Sequence, residues 1–146
     1  MKASFKVKGF RDLDKALSQL PKASAKAVAR RILKKAGQPI ADAGAAKAPK
    51  HQGHLRESYV VGTKLTRRQS KMARKESPVE VYIGPNDPAA IQTEFGNEHQ
   101  AAEPHLRPAW DAHKEDALQT IADEFWLEIE KAVARYNKRQ AKKGLR

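Results

Sequence analysis

Five residues in one short stretch have the types that acid–base chemistry uses: Glu94, Glu98, His99, Glu103 and His105. A hydrolytic site would set one of them as general base against another as acid, inside a pocket that shields both from water. Here they are strung along a polar loop, a setting that favours plain solvation. His51-Gln52-Gly53-His54 offers a different chemistry, since two histidines three apart on a helix can share a zinc ion. Gly53 and the nearby Pro49 oppose a helix there, and no third histidine follows closely. Gly53 reads instead as a turn into a strand that begins at Leu55. The chain has no phosphate loop, nucleophile elbow or dinucleotide fingerprint. A metal-dependent hydrolase using His51, His54 and Glu94 remains the enzymatic alternative; the residues read better as a protein with no catalytic, cofactor-binding or metal site.

Charge is the stronger signal. The 146 residues carry 29 Lys and Arg against 17 Asp and Glu, a net charge of +12. Such an excess favours polyanions or an acidic protein surface over neutral ligands. The cations gather in three places: Lys22, Lys26, Arg30, Arg31, Lys34 and Lys35; then Arg67, Arg68, Lys71, Arg74 and Lys75, opposed only by Glu76; and last Arg135, Lys138, Arg139, Lys142 and Lys143. Few aromatics are interleaved, so a nucleic-acid module would neutralise phosphates rather than read bases. The bland alternative is a solvated surface. There is no cysteine, which excludes disulfides and thiolate metal sites. No secretory apolar region follows Met1 and no apolar run approaches the ~18 residues of a membrane span. The expectation is a soluble protein in a reducing compartment.

The elements that would position these groups follow from periodicity. One domain is the simplest reading of this length, with a basic tail over residues 137–146. Phe5-Lys6-Val7-Lys8 alternates as a short strand, and Leu13, Leu17 and Leu20 space a helix over Arg11 to Leu20. Pro21 can open the next helix. Lys22 to Ala48 is Ala-rich, with Val28, Ile32, Leu33, Ala36 and Ile40 on one face, and Pro39 predicts a kink near residues 37–39. Its small residues allow another element to come close. Tyr59-Val60-Val61 within Leu55 to Leu65, and Val79 to Ile83 stopped by Gly84-Pro85, read as strands. The basic stretch Thr66 to Pro78 between them is a long hairpin loop, expected to be mobile until bound. Ala89 to Phe95 suits either a helix or a strand. Pro108 is placed to be the first residue of a last helix with an apolar stripe through Trp110, Ala117, Leu118, Ile121, Phe125, Ile129, Ala132, Val133 and Tyr136.

Two segments flank the polar loop: Glu94-Phe95-Gly96 and Pro104-His105-Leu106-Arg107-Pro108-Ala109-Trp110. Phe95 is expected to anchor the loop in the core, and Gly96 to take an unusual backbone angle. Arg107 has Glu94 or a neighbouring subunit as its candidate partner. Together they read as a shaped junction.

In this order the segments resemble a known family. Val7-Lys8-Gly9-Phe10, the leucine-spaced helix, Ala48-Pro49, Gly53-x-Leu55-Arg56-x-Ser58, Val81-Tyr82-Ile83-Gly84, Glu94-Phe95-Gly96 and Pro104-x-Leu106-Arg107-Pro108-Ala109 are similar to the tail components of long, non-contractile-tailed phages, also called tail-completion or neck proteins. The lambda-type minor tail protein Z is a distant relative. The likeness spans roughly residues 5 to 135; the family often has Phe where His105 stands and Thr where Gln52 and Asn97 stand. The resemblance implies an α+β fold: a small antiparallel sheet with a long basic hairpin loop, packed against a kinked Ala-rich helix and a long C-terminal helix. It implies a virion protein of the tail or neck, made in the host cytoplasm, that joins head and tail by ring assembly, with no enzymatic activity and no cofactor. A six-fold ring is the expectation. Its partners would be further copies of itself and a tail terminator, tail tube or head–tail connector, with contact to genomic DNA and none to membrane. Arg67, Arg68, Lys71, Arg74, Lys75, Glu94, Phe95, Gly96, His105 and Arg107 are the candidate interface residues. A basic module that contacts the phosphate backbone of nucleic acid is the alternative function.

Overall fold

The fold is seen in a computed structural model that describes Ser18, residues 22–50 and residues 53–144. The expected strand Phe5–Lys8, the opening role of Pro21 and the ligand candidate His51 lie outside the described residues, as does the Arg11–Leu20 helix apart from Ser18, which is helical. Seven elements follow: α1 (Lys22–Lys47), α2 (His54–Glu57), β1 (Tyr59–Gly62), α3 (Arg67–Met72), β2 (Tyr82–Pro85), α4 (Ala89–Phe95) and α5 (Leu106–Gly144). The class is α+β, as expected.

Two long helices carry the fold. Arg31 pairs with Glu128 at 2.7 Å and Lys35 with Glu124 at 2.5 Å, so α1 advances as α5 retreats and the helices run antiparallel. Between them Ile32, Phe125 and Ile129 are buried, with Val28, Ala29 and Ile121 packed around. These are the positions that the 3.6-residue period places on facing stripes. The ion pairs are exposed on the α1 side and contribute little beyond orientation. Pro39 sits inside α1. It has no N–H for the carbonyl four residues back, and α1 is kinked without being interrupted. The long last helix begins at Leu106 rather than at Pro108 and continues to Gly144.

Among the described residues the sheet has two strands, antiparallel, with Tyr59 opposite Pro85 and Val61 opposite Ile83. A two-stranded ribbon is marginal in water by itself, so it leans on α1. The approach is very close. A Cβ at Gly37 would lie 2.7 Å from Ile83 Cδ1, and one at Gly44 would lie 2.5 Å from the Tyr59 ring. Gly37 and Gly44 are seven residues apart, two helical turns, and present one face to the strand residues of alternating parity Tyr59, Val61 and Ile83. Ala48, Leu55 and Ala90 form a second small core, with Tyr59 against it.

Three expectations shift. The first strand starts at Tyr59, not Leu55, because residues 54–57 form a helical turn after Gly53 (φ 78°). The second begins at Tyr82 and includes Gly84 and Pro85. Val79 to Val81 stay out of it because the Glu80 carboxylate bends back to accept the N–H groups of Glu76 (2.6 Å) and Ser77 (2.9 Å). The basic connector is not a bare loop: it contains α3, closed by reciprocal bonds between Thr66 and Gln69. That is the capping box that a Thr-x-x-Gln spacing announces.

Phe125 fills the seam between the long helices, whereas Glu128 only decorates it. Phe125→Ala is expected to cost about 3–5 kcal/mol of unfolding free energy and Glu128→Gln less than about 1, both read from urea denaturation. Equal costs would show that the seam is not the core.

Candidate functional site

Glu94 lies near the end of α4, and its carboxylate faces the start of α5. One oxygen accepts the N–H of His105 at 2.8 Å and of Leu106 at 2.9 Å. The other accepts the N–H of Arg107 and its Nε, both at 3.0 Å. The first four N–H positions of a helix have no partner within it. Here three of them meet one carboxylate, and the fourth is Pro108, which has no N–H to satisfy. The negative group also sits at the positive end of the α5 dipole. A second arm of the clamp runs from the Arg107 guanidinium to the Glu94 carbonyl at 2.9 Å. Of the two partners expected for Arg107, the structure has Glu94.

The loop between the two halves of this clamp is ordered by its own bonds. Gly96 takes φ 75°, and a Cβ there would lie 2.8 Å from the Ala102 nitrogen, so only glycine fits. Asn97 Oδ1 accepts from the N–H of His99 and of Gln100, and Glu103 N–H donates to the Thr93 carbonyl at 2.8 Å. Glu98, His99 and Glu103 stay exposed. Of the five candidate acid–base residues, only Glu94 and His105 come together.

His105 is 1% exposed. Its Nδ1 is hydrogen-bonded to the Tyr59 hydroxyl, whose ring stands edge-on to the imidazole at 5.7 Å. Burial, and secondly the Glu94 charge, push the Tyr59 hydroxyl up from its ordinary value, so it keeps its proton; it donates to Nδ1 when the ring hydrogen sits on Nε2, the nitrogen that faces the Glu94 carboxylate. The imidazole hydrogen is then assigned to Nε2, which points at Glu94 Oε2 from 3.6 Å and has no hydrogen-bond partner. Burial pushes His105 down, and the Glu94 charge offsets only part of this. Burial alone would raise Glu94. The N–H groups of His105, Arg107 and Leu106 and the Arg107 side chain outweigh it and hold the carboxyl at about 2. Tyrosine, histidine and glutamate follow one another here in the order of a relay. The hydroxyl is hard to ionise, and the carboxylate oxygens are occupied by four N–H donors.

Outside this buried clamp lies an apolar surface. Phe95 is 63% exposed, with the Arg107 guanidinium 4.6 Å above its ring. The expectation that Phe95 anchors the core is therefore corrected: Glu94 takes the inward direction, and its neighbour is turned to solvent. Ile91 lies one turn before Phe95, and Trp110 nearly one turn after Arg107. With Val60 from the sheet face away from α1, they line a groove of about 780 Å3. Arg67, Arg68, Lys71, Arg74 and Lys75 are exposed on and after α3. Trp110, expected in the apolar stripe of the last helix, is instead 51% exposed, and Ile91 is 61% exposed; both were missed as site residues.

The chain matches, over residues 11–96, the family described as "Bacteriophage HK97-gp10, putative tail-component". The chain belongs to this family. The match covers more than half of the residues, from Arg11 to Gly96, and so takes in the sheet, the basic connector and Glu94. It stops short of residues 105–107, on which Glu94 closes. The family is one of structural tail components. No curated protein and no solved structure matches the chain. Among the described residues no helix is long and apolar enough to cross a membrane.

Glu94 is held at about 2 against an ordinary 4.5, so its contribution to stability is present above pH ~4.5 and is lost as pH falls toward 2, a span of roughly 3 kcal/mol. Glu94→Gln puts an amide NH2 where N–H donors point. Its unfolding free energy at pH 7 should drop by about 2–3 kcal/mol, and the acid slope in that window should flatten; an unchanged slope would assign acid lability elsewhere. The depressed His105 value works one step higher: the unfolded chain takes up a proton below the ordinary 6.5 while the folded one resists, so stability falls as pH drops from there. His105→Phe should erase this dependence below pH 6.5 in thermal melts, whatever it does to the absolute stability.

Proposed function

We propose that this protein is a structural virion component that assembles into a ring at the head-proximal end of the tail, as a neck or tail-completion protein joining head and tail. Family membership supports the tail assignment. The observation that carries the mechanism is the Glu94 clamp with its outer surface: a carboxylate spends all of its hydrogen-bonding capacity on fixing one helix against another, and so holds Phe95, Arg107 and Trp110 at the surface in one geometry. Apolar side chains held exposed in this way mark contact surfaces.

In this reading the candidate interface residues divide into two sets. Glu94, Gly96 and His105 are internal and set the shape. Phe95 and Arg107, with Arg67, Arg68, Lys71, Arg74 and Lys75, face outward and touch other subunits. A six-fold ring matches the symmetry implied by the family resemblance, and a tail terminator, tail tube or head–tail connector would lie above or below it. Lys22, Lys26, Arg30 and Lys34 recur every four residues along an exposed face of α1, and none makes an ion pair among the described residues. Such a stripe suits the phosphates of DNA in a central channel or acidic patches on a neighbour.

The test is a phage deprived of this chain. Heads and tails should accumulate unjoined or unfinished, and a tagged copy supplied in trans should label the top of the tail by electron microscopy. Infectious particles of normal form without the protein would refute the proposal.

A further inference from the structure

The net charge hides a separation. Residues 86–130 hold eleven acids and only two bases, Arg107 and Lys114, whereas the rest of the chain holds six acids and 27 bases. Both extremes lie on surface features of the groove region. On one side is the connector between the strands. Lys64, Arg67, Arg68, Lys71, Arg74 and Lys75 are all exposed, none makes an ion pair among the described residues, and Met72 stands at their centre, 87% exposed. On the other side is the groove. Asp111 lines it beside Trp110, and Asp87, Glu98 and Glu103 belong to the loops at either end of α4. Glu115 is exposed one turn beyond Asp111. Among the described residues Asp111 pairs with Lys114 alone, at 3.7 Å across an exposed helix surface.

Each copy thus carries a basic knob with an apolar tip and, beside it, an apolar groove: Lys64, Gln69 and Ala73 at the base of the knob line the groove together with Asp111, while the Met72 tip is turned to solvent. We propose that the basic connector of one copy, with Met72 at its tip, docks on the Phe95–Trp110 groove of a second copy. This rests on the ring reading above and names the two faces that meet. The contact is heterologous, head to tail, so repetition closes into a ring when the rotation fits. Opposite charge sets the orientation, because groove on groove would bring acid to acid, and the apolar tip seated among aromatic side chains supplies the dry centre.

Two variants of exposed residues test it: a knob variant, Arg68→Ser, Lys71→Ser and Met72→Ser, and a groove variant, Phe95→Ser and Trp110→Ser. In analytical ultracentrifugation of the full chain, the wild type should associate with rising concentration, and less so in 500 mM than in 50 mM salt. Each variant alone should associate at least about tenfold more weakly, with circular dichroism unchanged. Their equimolar mixture has one intact knob and one intact groove per pair, so it should form a 1:1 pair and nothing larger. Charge reversal gives a second arm that does not touch the apolar residues. Arg67→Glu, Arg68→Glu and Lys71→Glu in one chain, and Glu98→Lys, Asp111→Lys and Glu115→Lys in another, should each stay apart alone and associate when mixed. A monomeric wild type, variants that associate normally, a serine-variant mixture that either stays monomeric or grows past the pair, or a charge-reversal mixture that stays monomeric would overturn the docking. If the variants pair as expected while the protein is absent from virions, the tail assignment falls and the contact stands. If the protein is in the tail while its knob and groove variants assemble normally, the reverse holds.

Discussion

The fold turns on one carboxylate. The α5 helix must start against α4 and the sheet, where its first N–H groups are shielded from water, and an unpaired polar group there costs on the order of 1–3 kcal/mol each. Glu94 removes three such costs at once, and Pro108 never incurs the fourth. The position of the helix start follows. His105 is drawn inward as the residue just before the helix, Arg107 is turned so that its side chain can return to Glu94, and Trp110 emerges on the next turn. A neutral side chain could fill the same volume, but it would carry a donor where only acceptors are wanted.

The rest of the scaffold delivers Glu94 to that point. A two-stranded sheet cannot hold its shape unaided, and it survives here because α1 offers glycine where strands need room: Gly37 under Ile83 and Gly44 under Tyr59. Tyr59 then reaches His105 from the strand side, so the sheet and the α5 start are tied through one buried hydroxyl–imidazole contact. The helix pair beyond is an ordinary apolar seam. Loss of packing in the seam would lower stability everywhere, whereas loss of the clamp would change where α5 begins and hence the shape presented by Phe95 and Trp110.

Legibility in the sequence tracked how local the cause was. The two long helices were visible because their apolar spacing repeats over many turns. The strands were visible as β-branched and aromatic runs, but their limits were not: whether Val79 or Tyr82 opens β2 depends on a carboxylate, Glu80, that bends back to its own loop. The helix α3 was hidden behind its charge, although Thr66 and Gln69 stood at capping-box spacing. Glu94 with Arg107 was foreseen as a pair; the larger role of Glu94, as acceptor for three backbone N–H groups, requires knowing that α5 starts at Leu106, and Pro108 drew that boundary two residues too late. Phe95 was placed inward because an aromatic beside a buried charge looks like core. Hydrophobicity alone cannot tell which of two adjacent residues in a helix faces in, and here the charged one does.

That inversion is itself informative. Folding alone would favour Phe95 inward and Glu94 outward, since burying an aromatic stabilises and burying a carboxylate costs desolvation. The chain does the opposite and recovers the cost through four N–H donors. The gain is rigidity at the surface: an exposed aromatic with its backbone fixed at Glu94 and its ring under a guanidinium loses little conformational freedom when something lands on it. Interfaces built on parts already held in place give up less entropy on association. A buried charge, an exposed ring and a helix start bound by the same carboxylate are thus one arrangement, in which the polar interior serves the apolar exterior.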